Sequence, residues 1–177
     1  MRIAACLSAL LLVAAAQAAQ PSDPLFKQLQ GAQTPEDAKP IEQQILLTFL
    51  QSGSPSIDLL MTRAAAVENA GDKDTAKKLY DAVVDIAPKF AEGWHRRGLL
   101  QNDAGDDTGA MVSLQKAIVL NPRQFEALEQ LGEMLEDYGD KPGALKMYRA
   151  AQALDPQMEG LQRHIDSLSR AVEGQGI

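Results

Sequence analysis

Few side chains in this 177-residue chain have the type and spacing that catalysis or metal binding requires. His95 and His164 are the two imidazoles, and they lie far apart along the chain. Asp166 is close to His164, but no second set of ligands stands at the spacing of a zinc or calcium site. The one cysteine, Cys6, lies in a segment that we expect to be removed, and there is neither a nucleophile turn nor a glycine-rich phosphate loop. We therefore expect no catalytic residue, no metal, no cofactor and no enzymatic activity.

Three glutamates form the most distinctive charged group. Glu129, Glu133 and Glu136 are four and three residues apart, a spacing that places their side chains on one face of a helix. Such a face could bind a basic partner. It could equally be a solvated surface that keeps the protein soluble, because runs of like charge often have no other role.

A constant repeat period predicts the helices that carry these side chains. The pairs Gly71-Asp72, Gly105-Asp106 and Gly139-Asp140 recur at one fixed step, and a step of about this length is typical of a stacked helix–turn–helix unit. The same step links the residues that follow them: Ala76, Ala110 and Ala144; Tyr80, Leu114 and Tyr148; Pro88, Pro122 and Pro156. Glycine ends a helix in the left-handed conformation, aspartate caps the next helix, and proline ends each unit. We expect three helix–turn–helix units, at 57–90, 91–124 and 125–158.

The pattern within these units resembles the tetratricopeptide repeat. The second unit carries it in Trp94, Gly98, Ala110, Leu114 and Pro122, and the third in Leu128, Leu131, Gly132, Leu135, Ala144, Tyr148 and Pro156. The first unit matches more weakly, at Leu60, Ala64, Val67, Ala76, Tyr80 and Pro88. The layout is similar to that of small exported bacterial proteins of this family. The resemblance implies an all-α, right-handed solenoid of three units.

The resemblance also implies a function: a non-catalytic scaffold that binds a protein or peptide in a concave groove. The first helix of each unit would line that groove, with the residues Met61, Ala65, Glu68, His95, Leu99, Asn102, Glu129, Glu133 and Glu136. Well-known relatives hold a peptide's terminal carboxylate with basic residues here. Because the third unit is acidic instead, we expect a basic or neutral partner rather than a carboxylate clamp.

Two arginines depart from the family pattern. Arg63 and Arg97 occupy equivalent positions of successive units, where the repeat usually has an aliphatic residue, as at Leu131. A guanidinium between helices needs a carboxylate, and Asp81 or Asp85 could serve Arg63. The alternative is that both arginines line the groove and receive a carboxylate from the partner.

The segments on either side of the repeats are expected to cover the ends of the stack. Residues 20–56 form a polar leader and a capping helix, which could be a degenerate half-repeat. Residues 159–173 form a C-terminal capping helix followed by a tail at 174–177, because Met158, Leu161, Ile165, Leu168 and Val172 make an apolar stripe. In an alternative function, this stripe and the 45–50 face pair between copies, so that the protein self-associates.

The segment at 1–19 predicts export. Arg2 precedes an apolar run from Ile3 to Ala16, and small residues at 16–19 offer a cleavage site. The run is too short to favour an uncleaved membrane anchor. The chain has 24 acidic and 17 basic residues, and removal of this segment takes away Arg2 but no acid. An acidic balance disfavours nucleic acid and anionic membranes. We expect a bacterial periplasmic protein without a membrane span after cleavage, with envelope assembly or maturation as a narrower role.

Overall fold

The computed structural model describes residues 22–174, and in this range the protein is entirely helical. The expected signal segment at 1–19 and the last three residues of the tail lie outside the described residues. The helices are α1 (Asp23–Gly31), α2 (Pro35–Phe49), α3 (Pro55–Asn69), α4 (Lys73–Ile86), α5 (Ala91–Asp103), α6 (Asp107–Leu120), α7 (Phe125–Asp137), α8 (Lys141–Leu154) and α9 (Leu161–Glu173). None of them combines the length and apolarity needed to cross a membrane.

Each repeat turn has the chemistry that the period predicts. Gly71, Gly105 and Gly139 adopt φ values of 86°, 77° and 79°, a conformation that costs other residues about 1–2 kcal/mol. The aspartates that follow cap the second helices by accepting hydrogen bonds from the backbone N–H groups of Thr75, Gly109 and Gly143. These turns join α3 to α4, α5 to α6 and α7 to α8, and the paired helices pack closely. The protein is an all-α repeat solenoid.

Small residues allow the helices of each pair to approach, as expected. In the third unit, a Cβ added to Gly132 would lie 2.7 Å from the ring of Tyr148. In the second, a Cβ on Gly98 would lie 3.1 Å from Leu114. The equivalent residue of the first unit, Ala64, is fully buried. The repeating small–large pairs therefore set how closely the helices pack.

The N-terminal helices lie in an unexpected place. The buried residues of α1 and α2, including Phe26, Leu29 and Ile45, share one hydrophobic cluster with α7, α8 and α9. The cluster of the first unit, built by α3 and α4, is separate. The expected half-repeat beside the first unit is therefore not what α2 forms. We call α1 and α2 together the N-terminal hairpin; its apolar face is buried against the third unit and α9.

Polar and aromatic contacts hold the N-terminal hairpin against the third unit. Gln30 donates a hydrogen bond to the backbone oxygen of Ala153 at 2.7 Å. Gln157 donates to the backbone oxygen of Ala32 at 3.0 Å. The guanidinium of Arg123 lies 3.7 Å from the ring centroid of Phe26 and 2.9 Å from Asp23. Phe49 at the end of α2 meets Phe125 at the start of α7, with ring centroids 6.3 Å apart.

Helix α9 follows the third unit and covers its last helix. It packs against α8 and buries Leu161, Ile165 and Leu168 in the same cluster. The stripe suggested for self-association is thus largely used inside the chain, as are Ile45 and Phe49 of α2. Self-association through these side chains would require the terminal helices to leave the stack.

Candidate partner-binding face

The nine residues expected to line the groove occupy corresponding faces of α3, α5 and α7, but they differ in accessibility. We call this surface the first-helix face. Met61 and His95 are buried, with exposed fractions of 5% and 1%, so neither presents its side chain to a partner in this conformation. Asn102 and Glu133 are exposed. The other five residues are partly buried: Ala65, Glu68, Leu99, Glu129 and Glu136. A partner contact by any of the nine stays a prediction.

Two of the glutamates on this face also hold their own unit together. The hydroxyl of Tyr80 donates to Glu68 Oε2 at 2.7 Å, and that of Tyr148 donates to Glu136 Oε2 at 3.0 Å. His164 of α9 places Nδ1 2.9 Å from the same oxygen of Glu136. The middle unit has Asn102 and Leu114 at these positions, where no such bond can form. Glu68 and Glu136 therefore act as hydrogen-bond acceptors within their own units, whether or not they also meet a partner.

A buried polar network in the second unit fixes His95. The side chain of Glu92 is 3% exposed; its Oε1 accepts from Arg96 Nε at 2.6 Å, and its Oε2 accepts from Gln124 Nε2 at 2.5 Å. His95 Nδ1 lies 3.2 Å from the same Oε2, and it must donate because a carboxylate only accepts. Burial alone would raise the pKa of Glu92, but His95 and Arg96 hold it below its usual range.

This network was not foreseen from the sequence, although a signal for it exists. Gln124 stands where the other units have Phe90 and Met158. A polar residue at an otherwise apolar repeat position needs a buried partner. Glu92, three residues before His95 on the same helix, provides it.

Carboxylates accumulate where α7 meets the N-terminal hairpin. We call Glu42, Glu126, Glu129, Glu133 and Asp155 the acidic end of the first-helix face. Burial, with Glu133 and Glu126 nearby, raises the pKa of Glu129 to about 7. Burial likewise raises the pKa values of Glu126 and Glu133, against the opposing effects of His95 and His164. Within the described residues, Glu129 and Glu133 have no ion-pair partner within 4.0 Å. Negative charge therefore outweighs positive charge at this end of the described structure.

Three buried polar atoms in and beside the acidic end have no hydrogen-bond partner in the described chain: His95 Nε2, Gln124 Oε1 and Asp155 Oδ2. Gln124 uses its amide N–H on Glu92, which leaves its oxygen as an acceptor. Gln124 Oε1 and Asp155 Oδ2 can therefore accept, and unmatched buried acceptors favour a ligand with N–H donors.

The two arginines behave differently from each other. Arg97 is half-buried: its Nε lies 2.6 Å from Asp81 Oδ1, its Nη1 donates to Ser113 at 2.9 Å, and its guanidinium lies 5.6 Å from the ring centroid of Trp94. Arg63 is exposed and has no ion pair within the described residues. The expectation that Asp81 could serve Arg63 was wrong, because Asp81 faces the next unit and binds Arg97 together with Lys77. The described residues also contain no group of three or more side chains suited to holding a metal ion.

Known proteins share these repeats. No protein-family model matches the chain. A TPR repeat-containing protein of Rhizobium etli is 35% identical over 78 residues, which cover 44% of this chain and 38% of that relative's length. The chain is therefore similar to tetratricopeptide repeat proteins in the sequence of these 78 residues. The match covers well under half of the length of this curated relative. The rest of the relative has no counterpart in the match.

Solved structures, TPR domains among them, show the same fold. One is the first TPR of Spaghetti (RPAP3) bound to the HSP90 peptide SRMEEVD, at 18% identity and a TM-score of 0.61, over 66% of this chain and 93% of that one. Another is the Yersinia enterocolitica type III secretion chaperone SycD with a peptide of the translocator YopD, at 18% identity and a TM-score of 0.59, over 70% and 97%. At these identities the likeness concerns the fold alone.

Proposed function

We propose that this protein is a non-catalytic tetratricopeptide repeat scaffold that binds a basic or neutral segment of another protein along its first-helix face. The proposal is supported by the fold, since a rigid stack of helix pairs presents an extended concave surface. Its relatives of the same fold include domains solved with bound peptides.

The acidic end is the observation that carries the charge preference. Glu129 and Glu133 have no ion-pair partner within 4.0 Å in the described chain, and their pKa values are raised by burial and by the neighbouring acids. A lysine or arginine side chain placed there would remove that repulsion. An arginine would also bring five N–H donors to a region with unmatched buried acceptors.

The same charges argue against an acidic ligand. The peptide SRMEEVD, bound by the Spaghetti domain, has three carboxylate side chains among its seven amino acids. Glu129 and Glu133 would repel such a sequence, and like charges facing each other cost several kcal/mol. The partner proposed here therefore differs in charge from that peptide, although the fold is shared.

Export to a bacterial periplasm is part of the proposal and depends on the sequence of the segment at 1–19. A role in envelope assembly or maturation would follow from that location. Fractionation of the cells, with mass spectrometry of the N-terminus of the recovered protein, tests it. A protein that keeps Met1 and stays in the cytoplasm contradicts this part alone.

Binding is tested with a library of fluorescent peptides graded from acidic to arginine-rich. Glu129→Gln with Glu133→Gln should weaken the binding of basic peptides by roughly tenfold, because each lost surface ion pair is worth up to about 1 kcal/mol, and should flatten the salt dependence. The matched control is Asp85→Asn with Glu159→Gln, which makes the same change in net charge at exposed positions away from this face. Equal weakening in both variants would mean that net charge, not this face, attracts the peptide.

A further inference from the structure

One stripe of α3 is exposed although the equivalent stripes of the second and third units are covered. We call it the open stripe, and because its members are three or four residues apart they share one helix face: Ser56, Leu59, Arg63 and Ala66. Leu59 is 69% exposed, whereas its equivalents Gly93 and Ala127 are buried. Within residues 22–174 the N-terminal hairpin packs on the third unit instead of preceding the first, which leaves this stripe uncovered.

The second unit shows what covers such a stripe. The Nε of Arg97 lies 2.6 Å from Asp81 Oδ1 on α4 of the preceding unit. A Cβ added to Gly93 would lie 2.8 Å from Val83 Cγ1 on the same helix. An arginine and a small residue of α5 thus meet an acid and a valine that are two positions apart on α4.

Residue sizes at this contact are complementary. Gly93 allows Val83 to approach, and in the third unit Ala127 shares a cluster with Ala117, which stands at the position of that valine. Leu59 is the largest of the three equivalents. A helix that covers it therefore needs a small residue where α4 has the valine.

We propose that the open stripe binds an amphipathic helix of a second protein, one that carries an acidic residue and, two positions later, glycine or alanine. Its carboxylate would pair with Arg63, which has no ion-pair partner within 4.0 Å in the described residues. Leu59 and Ala66 would lose their contact with water under the helix. The stripe lies on a different side of α3 from the first-helix face, so this inference does not depend on the proposed function.

A second copy of this chain fits the open stripe poorly. Two-fold pairing of two stripes would bring two Arg63 side chains to the same interface. The described part of α9 leaves no large apolar side chain exposed to meet Leu59. On α6 the exposed apolar residues Val112 and Val119 lie on either side of Lys116. That lysine would repel the arginine.

The test uses a helical peptide with a sequence from this chain. Residues 73–86 form the helix that covers α5 and include Asp81; Val83→Ala in the peptide makes room for Leu59. A side-chain crosslink keeps the peptide helical, because an isolated helix of this length is marginal in water. Amide chemical-shift mapping on the full chain locates the peptide, and titration gives its dissociation constant. We expect the shifts along α3, and Arg63→Glu should weaken binding by roughly tenfold because attraction becomes repulsion.

Three controls separate this contact from general charge effects. A peptide with Asp81→Lys should not bind the wild-type protein and should bind the Arg63→Glu variant. Arg170→Glu makes the same charge change on the exposed face of α9 and should bind the original peptide as the wild-type protein does. Glu129→Gln with Glu133→Gln should also bind it normally, so that a failure of the first-helix face is distinguished from a failure here.

The proposal is overturned if the wild-type protein does not bind the peptide, or if Arg63→Glu and the wild-type protein bind it equally. Shifts on the N-terminal hairpin or the first-helix face in place of α3 would also overturn it. So would a mass in light scattering that rises with protein concentration and falls when the peptide is added, because a second copy would then occupy the stripe.

Discussion

Replacing Arg97 by leucine should destabilise the protein far more than the same change at Arg63, although the two residues are equivalent in the repeat. Arg97 bonds Asp81 at 2.6 Å and Ser113 at 2.9 Å, while Arg63 is exposed and unpaired in the described chain. Bonds to charged groups are worth about 1.5–3 kcal/mol each. The loss is reduced here because Asp81 keeps Lys77 at 2.8 Å and Ser113 still donates to Gln101 at 2.6 Å. We expect Arg97→Leu to cost about 2 kcal/mol, against at most about 0.5 kcal/mol for Arg63→Leu.

The third unit provides a stricter version of this test. Where the second unit has Arg97, Gln101 and Ser113, the third has Leu131, Leu135 and Met147. A buried polar network can often be replaced as a whole by apolar residues with little loss, while removal of one member is costly. The triple variant Arg97→Leu, Gln101→Leu, Ser113→Met should therefore recover to within about 1 kcal/mol of the wild-type protein.

Urea unfolding followed by circular dichroism measures these differences, provided that the slope of free energy against urea is the same for all variants. The interaction energy among the three positions is the difference between the triple variant and the sum of the single variants. If Arg97→Leu costs no more than Arg63→Leu, the inter-unit ion pair contributes nothing. If the triple variant is no more stable than Arg97→Leu, the polar residues do not act as a network.

Three further outcomes are expected. Tyr148→Phe removes one of two donors to Glu136 and should cost about 1 kcal/mol in urea unfolding; no loss would mean that His164 alone satisfies that carboxylate. Gly139→Ala should cost about 1–2 kcal/mol, because φ is +79° there, whereas Gly31→Ala, with open space around its Cβ, should be neutral or stabilising. The pKa of Glu129 is higher in the folded protein than in the unfolded chain, so the free energy of unfolding should fall as the pH rises from 4.5 to 7 and this acid ionises. The free energy of unfolding of Glu129→Gln should fall less over that range.

The repeat period predicted the turns, the helix pairs and the small–large packing because each of these depends on residues close in sequence or fixed within one unit. The period could not distinguish Arg63 from Arg97. The difference arises from the preceding unit: Arg97 on α5 meets Asp81 on α4, while α3 has no earlier repeat to supply a carboxylate. Equivalent positions thus acquire different environments at the end of a stack.

The N-terminal hairpin was misplaced for a related reason. Its apolar stripe fits any complementary apolar face, and sequence spacing does not say which face is chosen. Phe125, Leu145 and the first residues of α9 provide a large one on the third unit. The buried Glu92–His95–Gln124 network likewise depends on contacts between units. The repeat pattern does not show such burial, and two of the predicted groove residues, Met61 and His95, are buried.

A bond such as Gln30 to Ala153 joins residues 123 positions apart, which changes how this solenoid folds. An ordinary repeat array couples only neighbouring units, so it can nucleate anywhere and fray from either end. Here the earliest helices cannot complete their packing until the last repeat has been synthesised and folded. That raises the contact order, slows the final step of folding, and leaves the apolar faces of α1 and α2 uncovered during synthesis. The N-terminal segment therefore depends for its order on the part of the chain made last.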